Sequence, residues 1–145
     1  MAYAHTQSVP PAVLTAGGAL GFIASKAIPN PLIRIASLGV LALAGTTFRS
    51  LTIEVDTDRV RLLFGDGLLE KDVKLADVES VKQTRTNPWQ GWGVHWIGNG
   101  WLYNVYGLGA VELKLKDGKV VVIGTDEPTE LTEAINEQLR NRRFE

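Results

Sequence analysis

Two charge-free apolar runs, separated by a single Pro-Asn-Pro turn, fill the first third of the sequence and restrict the fold more than any other feature. No charged residue occurs from Thr6 to Ser25, and none from Ile35 to Phe48. Pro10 and Pro11 suit the first turn of a helix, where no amide donor is needed. Pro29-Asn30-Pro31 must end that helix, because proline removes donors and pushes its predecessor out of the α region. The spacing therefore predicts helices over residues 10–28 and 32–48, forced antiparallel by so short a connection.

Each run would make about 26–28 Å of helix, near the lower limit for a bilayer core of about 30 Å. Lys26 and Arg34 flank the turn, where long side chains can snorkel to headgroups. Gly17 and Gly21 form a GxxxG pair of the kind that lets helix backbones approach closely in lipid. A secretory signal is disfavoured, because residues 1–8 contain no Lys or Arg and a second apolar run follows directly. A buried hairpin in a soluble protein would show a polar stripe at helical period, and none is present. The expectation is a two-pass anchor in a bacterial inner membrane. Arg49, Arg59 and Arg61 against Lys26 and Arg34 put the rest of the chain on the cytoplasmic side, by a margin of one charge.

Composition changes abruptly at residues 46–50, dividing the chain into an anchor at 1–49 and a domain at 50–145. In the second part Leu51, Ile53 and Val55 alternate with Thr52, Glu54 and Asp56, the period of a half-buried strand. Val60, Leu62 and Phe64 resume it after Asp56-Thr57-Asp58, and Gly65-Asp66-Gly67 reads as a hairpin turn. Further strands are predicted over 68–73, 78–85, 93–97, 101–105, 111–116 and 120–123, at the spacing of a sandwich or barrel. The period then shifts. Thr125 or Asp126 offers an N-cap, Pro128 sits near a helix start, and Leu131, Ala134, Ile135 and Leu139 share one helical face.

These make about seven or eight short strands, and a run of seven closed by one C-terminal helix resembles the pleckstrin-homology-like (PH-like) fold. Four segments add to this: Leu51-Thr52-Ile53-Glu54-Val55 after a helical hairpin, Asn87-Pro88-Trp89-Gln90-Gly91-Trp92-Gly93, Gly100-Trp101-Leu102-Tyr103-Asn104-Val105 and Gly124-Thr125-Asp126-Glu127-Pro128. With them the chain is similar to small bacterial membrane proteins in which a two-helix anchor precedes a PH-like domain. The resemblance implies an α+β fold: an N-terminal transmembrane helical hairpin, then a PH-like small β-barrel of about seven strands capped by one C-terminal α-helix. It names an architecture and no reaction.

Catalytic constellations are missing from the sequence. There is no Cys, which excludes disulfides and thiolate sites. His5 and His95 stand far apart, and neither has a second ligand at metal spacing. The acids fall mainly in turns, where Asp serves the backbone. The expectation is therefore a non-enzyme with no cofactor and no metal. Fifteen Lys+Arg against 16 Asp+Glu argue against a nucleic-acid partner. Lys71, Lys74, Lys82 and Arg85 could suggest lipid phosphates, yet Glu70, Asp72, Asp77 and Glu79 are interleaved with them.

The aromatic residues carry more information. All four tryptophans lie between Trp89 and Trp101, with Tyr103 and Tyr106 close behind. Such a cluster reads as core packing, as a docking surface, or as a headgroup-level belt. Trp89, Trp92, Trp96, Tyr103 and Tyr106 are the candidate partner or membrane interface, and Trp101, opening a strand, is expected in the core. The functional expectation is a module that binds or braces other proteins at a membrane surface, as an accessory subunit of, for example, a respiratory or photosynthetic complex. Its partners would be membrane lipids and other membrane-protein subunits. Lipid-headgroup binding and a homo-oligomeric scaffold are the alternatives.

Overall fold

The computed structural model describes residues 2–90 and 93–144. Its first strand, β1 (Tyr3–Ser8), precedes the helical pair α1 (Pro11–Ser25) and α2 (Pro31–Thr47). Strands β2 (Ser50–Val55), β3 (Arg59–Phe64) and β4 (Leu69–Lys74) follow. A 3₁₀ turn at Leu75–Asp77 leads to β5 (Val78–Arg85), β6 (Gly93–Trp96), β7 (Gly100–Asn104), β8 (Gly109–Leu115) and β9 (Val120–Gly124). Helix α3 (Pro128–Arg143) ends the chain.

The strands form two open sheets. One has the order β1-β2-β3-β4, all antiparallel; the other has the order β5-β8-β9-β7-β6, in which only β7 and β9 run parallel. Alternation decides which side chains meet between them. From β2 and β3, Leu51, Ile53, Val55, Val60, Leu62 and Phe64 point inward and are fully buried. Val111, Leu113, Val121 and Ile123 of the second sheet complete the same core with Leu131 and Ile135 of α3. Helix α3 has acidic Glu130 in its first turn and Arg140, Arg142 and Arg143 in its last, the arrangement its dipole favours. Thr125 does not cap it directly: its hydroxyl accepts from the Glu127 amide at 3.0 Å, and Pro128 opens the helix.

The closed barrel is not observed. Period-two alternation is shared by barrels and sandwiches, so closure was not legible in the sequence. The turn at Leu75–Asp77 carries the chain from one sheet to the other without a ladder between β4 and β5. From β1, the buried Gln7 side chain bridges to the connection between β7 and β8: its Nε2 donates to the Tyr106 carbonyl at 2.7 Å.

The transmembrane anchor must be corrected as well. Among the described residues no helix is long and apolar enough to cross a membrane. With 15 and 17 residues, α1 and α2 rise about 22 and 26 Å, against a hydrocarbon core of about 30 Å. The apolar runs overestimate the helices because Pro10 lies outside α1 and residues 26–30 form the turn. The resemblance to two-helix-anchored bacterial membrane proteins therefore fails at its anchor. The two-pass placement in an inner membrane and the assigned side of the β-domain fall with it.

Instead, the helices form an arm inserted between two paired strands. Ser8 of β1 lies opposite Ser50 of β2, and the Val9 amide donates to the Arg49 carbonyl at 2.8 Å just beyond them. Gly65 seats the arm's base. Its φ of +56° is a left-handed conformation, and a Cβ there would strike the Thr46 and Thr47 carbonyl oxygens. Gly65→Ala is expected to destabilise the protein by about 1–3 kcal/mol in urea unfolding, since neither the turn nor the α2 backbone can yield cheaply.

Candidate functional site

Inside the arm, packing is limited to the seam between its helices. The Leu41 side chain occupies the space that a Cβ at Gly21 would need, so Gly21 brings α1 and α2 together. Gly17 does not share that role, because nothing lies within 4 Å of the position its Cβ would take. Gly18, Gly39 and Gly45 are equally open. At the tip, Asn30 Oδ1 accepts from the Leu32 and Ile33 amides at 2.9 and 3.2 Å, capping α2. The Arg34 guanidinium donates to the Ile28 carbonyl at 2.9 Å, and the Lys26 ammonium sits 5.4 Å from the centre of the Phe22 ring. The two cations that the sequence suggested for snorkelling thus hold the tip together.

Outward, the arm is apolar and uncovered. Only Ser25 and Thr47 of its two helices are buried. Leu20, Ile23, Leu32, Ile35 and Val40 are each between 62% and 76% exposed. Between the helices and the β-domain lies an open hollow of about 1000 Å³ that reaches along the arm to Phe22. Val13, Leu14, Gly17 and Gly18 form one wall and Leu38, Leu41, Ala42 and Gly45 another, with Phe48, Val94 and Val105 at the domain end. Arg49 at its rim pairs with Asp66 of the β3–β4 turn. Beside Asp66, Leu68 is 71% exposed.

The described aromatic candidates differ in exposure. Trp89 is 93% exposed in a 3₁₀ turn, Pro88–Gln90, and Trp92 lies outside the described residues. Trp96 and Trp101 are register partners across β6 and β7, edge to face with centroids 5.8 Å apart, and both are about half exposed. Trp101 is therefore not the core residue expected of it: it shares a strand face with Tyr103 but lies at the sheet's end. Tyr103 is buried, its ring 6.4 Å from that of Phe64, and burial raises its phenol pKa. Tyr106 is half-buried against the core. Removing Trp89 should leave the unfolding midpoint unchanged within about 0.5 kcal/mol, as for other surface positions. Trp101→Ala should cost about 1 kcal/mol through its ring partner. Equal, large losses for both would contradict this placement.

His95 Nε2 and Asn104 Oδ1 are buried with no hydrogen-bond partner among the described residues. His5 Nε2 lies 2.6 Å from Asp126, its Nδ1 lies 3.4 Å from Glu127, and the Tyr3 hydroxyl donates to Glu127 at 3.0 Å. Burial, then the Glu127 carboxylate, pushes the Tyr3 phenol far above its usual range, so it stays a donor. This cluster ties β1 to the start of α3. Among the described residues no group of His, Cys, Asp or Glu could hold a metal ion. Lys71 and Lys74 lie on β4 of one sheet, Lys82 and Arg85 on β5 of the other, and Lys82 pairs with Glu112 at 3.4 Å. Asp72 is held below the usual carboxylate range by Arg61, with Arg59 also in contact. No protein-family model matches the chain, and no curated protein shows significant similarity to it.

The sequence did not signal the hollow. Its walls come from residues about 30 positions apart on two different helices and from the β-domain beneath them. The signal that could have found it was the run of Gly17-Gly18 and Gly45 near the helix bases, read as space rather than as packing.

Proposed function

We propose that this chain is a non-catalytic protein-binding module, whose β-domain holds out an apolar helical arm that packs against another polypeptide. The observation that carries this reading is the extent of uncovered apolar surface on α1 and α2. Ten large apolar residues of the arm, each at least 36% exposed, present on the order of 1,000 Å² together. These residues lie around both helices, and uncovered apolar surface on this scale marks an interaction surface.

Protein suits this surface better than a single lipid leaflet. A hairpin dipping into one leaflet would carry Lys26 and Arg34, which stand at its tip, to the deepest and least polar point. A protein partner can meet those cations with carboxylates or leave them at a wet rim.

Light scattering on the purified chain in lipid-free buffer tests the reading. The wild-type chain should travel in an assembly heavier than its 15.8 kDa. Replacing Leu20, Ile23, Leu32, Ile35 and Val40 by Gln should return it to monomer mass with the β-domain's unfolding curve unchanged. A wild-type chain that is monodisperse at monomer mass, with no protein partner, would contradict the proposal.

A further inference from the structure

We infer that the partner of the arm is a second copy of this chain, packed antiparallel so that each arm's tip enters the hollow at the base of the other. This deepens the protein-docking reading and rests on it.

Area is the first argument. Two identical arms that face each other would each cover one side of the exposed apolar surface described above, together with the small residues between. A stable interface needs about 800 Å² per partner, and an arm that exposes on the order of 1,000 Å² meets that need with its own kind. A twofold arrangement asks one patch to be complementary to itself. The arm has both halves of such a patch: Leu32 and Ile35 project near the tip, 76% and 68% exposed, and the hollow of about 1000 Å³ starts at the base and runs along the arm as far as Phe22. Gly17, Gly18 and Gly45 on the hollow's walls have open space over them, which lets a neighbouring helix approach closely.

Charge sets the direction. Between residues 10 and 48 the arm carries Lys26 and Arg34 and no acid. Tip beside tip, two arms would bring four cations together. Tip beside base, they bring Lys26 and Arg34 of one copy to the Asp66 turn of the other, where the carboxylate is 81% exposed and pairs with Arg49. The exposed Leu68 next to it extends the apolar contact to the partner's Ile28-Pro29 corner. The arms, about 22–26 Å long, then lie side by side over their whole length, as in an antiparallel four-helix bundle.

The absence of cysteine makes the test clean. Sedimentation equilibrium of the full chain without lipid should give twice 15.8 kDa. Ala27→Cys combined with Leu68→Cys should cross-link into covalent dimers on mild oxidation, and Ala27→Cys alone should not. Lys26→Glu should weaken dimerisation about tenfold, and adding Asp66→Lys should restore it. Dimers cross-linked through Ala27→Cys alone would overturn the antiparallel arrangement. A stable complex with a different protein, and no self-association, would overturn this inference while leaving the docking reading intact. A chain that stays monomeric in water and enters phosphatidylcholine–phosphatidylglycerol vesicles would overturn both.

Discussion

Phe64→Ala is expected to destabilise the β-domain by about 3–5 kcal/mol, the largest single-residue effect anticipated for this chain. Phe64 ends β3 and is fully buried. Its ring meets Phe48 edge to face at 5.5 Å and Tyr103 at 6.4 Å, so it joins the arm's last turn, the first sheet and the second sheet at one point. Truncation would leave a cavity bordered by three elements, and the backbone of Thr46 and Thr47, held against Gly65, prevents the arm from collapsing into it. Urea unfolding followed by tryptophan fluorescence should show the midpoint falling with little change in slope. A loss below about 1 kcal/mol would mean that the arm's base is not packed on the domain as described.

Excising the arm should have the opposite character: a large effect on assembly and a small one on folding. Because β1 and β2 are register partners right up to Ser8 and Ser50, the arm is an insertion in a β-hairpin. Replacing residues 12–46 with about six Gly and Ser residues closes the same gap at little loop-closure cost. The shortened chain should unfold cooperatively, because Phe48 and every fully buried residue of the main core remain, with only the partly buried Val13 lost. All self-association should be lost with the arm. If the shortened chain still assembles, the interface lies elsewhere, with the Trp96–Trp101 pair the first place to look.

How far the sequence revealed this structure depended on whether the period of the residues or their tertiary partners decided the outcome. Alternation at Leu51, Ile53 and Val55, and again at Val60, Leu62 and Phe64, marked β2 and β3 because their two faces differ so sharply in burial. The amphipathic face of α3 was legible for the same reason. Strand β1 was not: Tyr-Ala-His-Thr-Gln-Ser has no apolar alternation, and the strand is held by its ladder with β2 and by the His5 and Tyr3 contacts to Asp126 and Glu127. The helical hairpin itself could be read from Pro29-Asn30-Pro31. Its setting could not, because the uncharged stretches extend beyond the helices that form within them. For the site, the tryptophan cluster drew attention to β6 and β7, whereas the greatest uncovered apolar area lies on Leu, Ile and Val of the arm. Residue type suggested the first; only exposure reveals the second.

The central claim, that the arm is a docking surface covered by a second copy, meets its most direct test in hydrogen–deuterium exchange at rising protein concentration without lipid. The prediction is that amides of α1 and α2 slow markedly as concentration increases, with the Gly17-Gly18 and Leu32–Ile35 segments slowing together, while β2, β3 and β8 are unchanged. Exchange across the arm that stays fast and independent of concentration would contradict it.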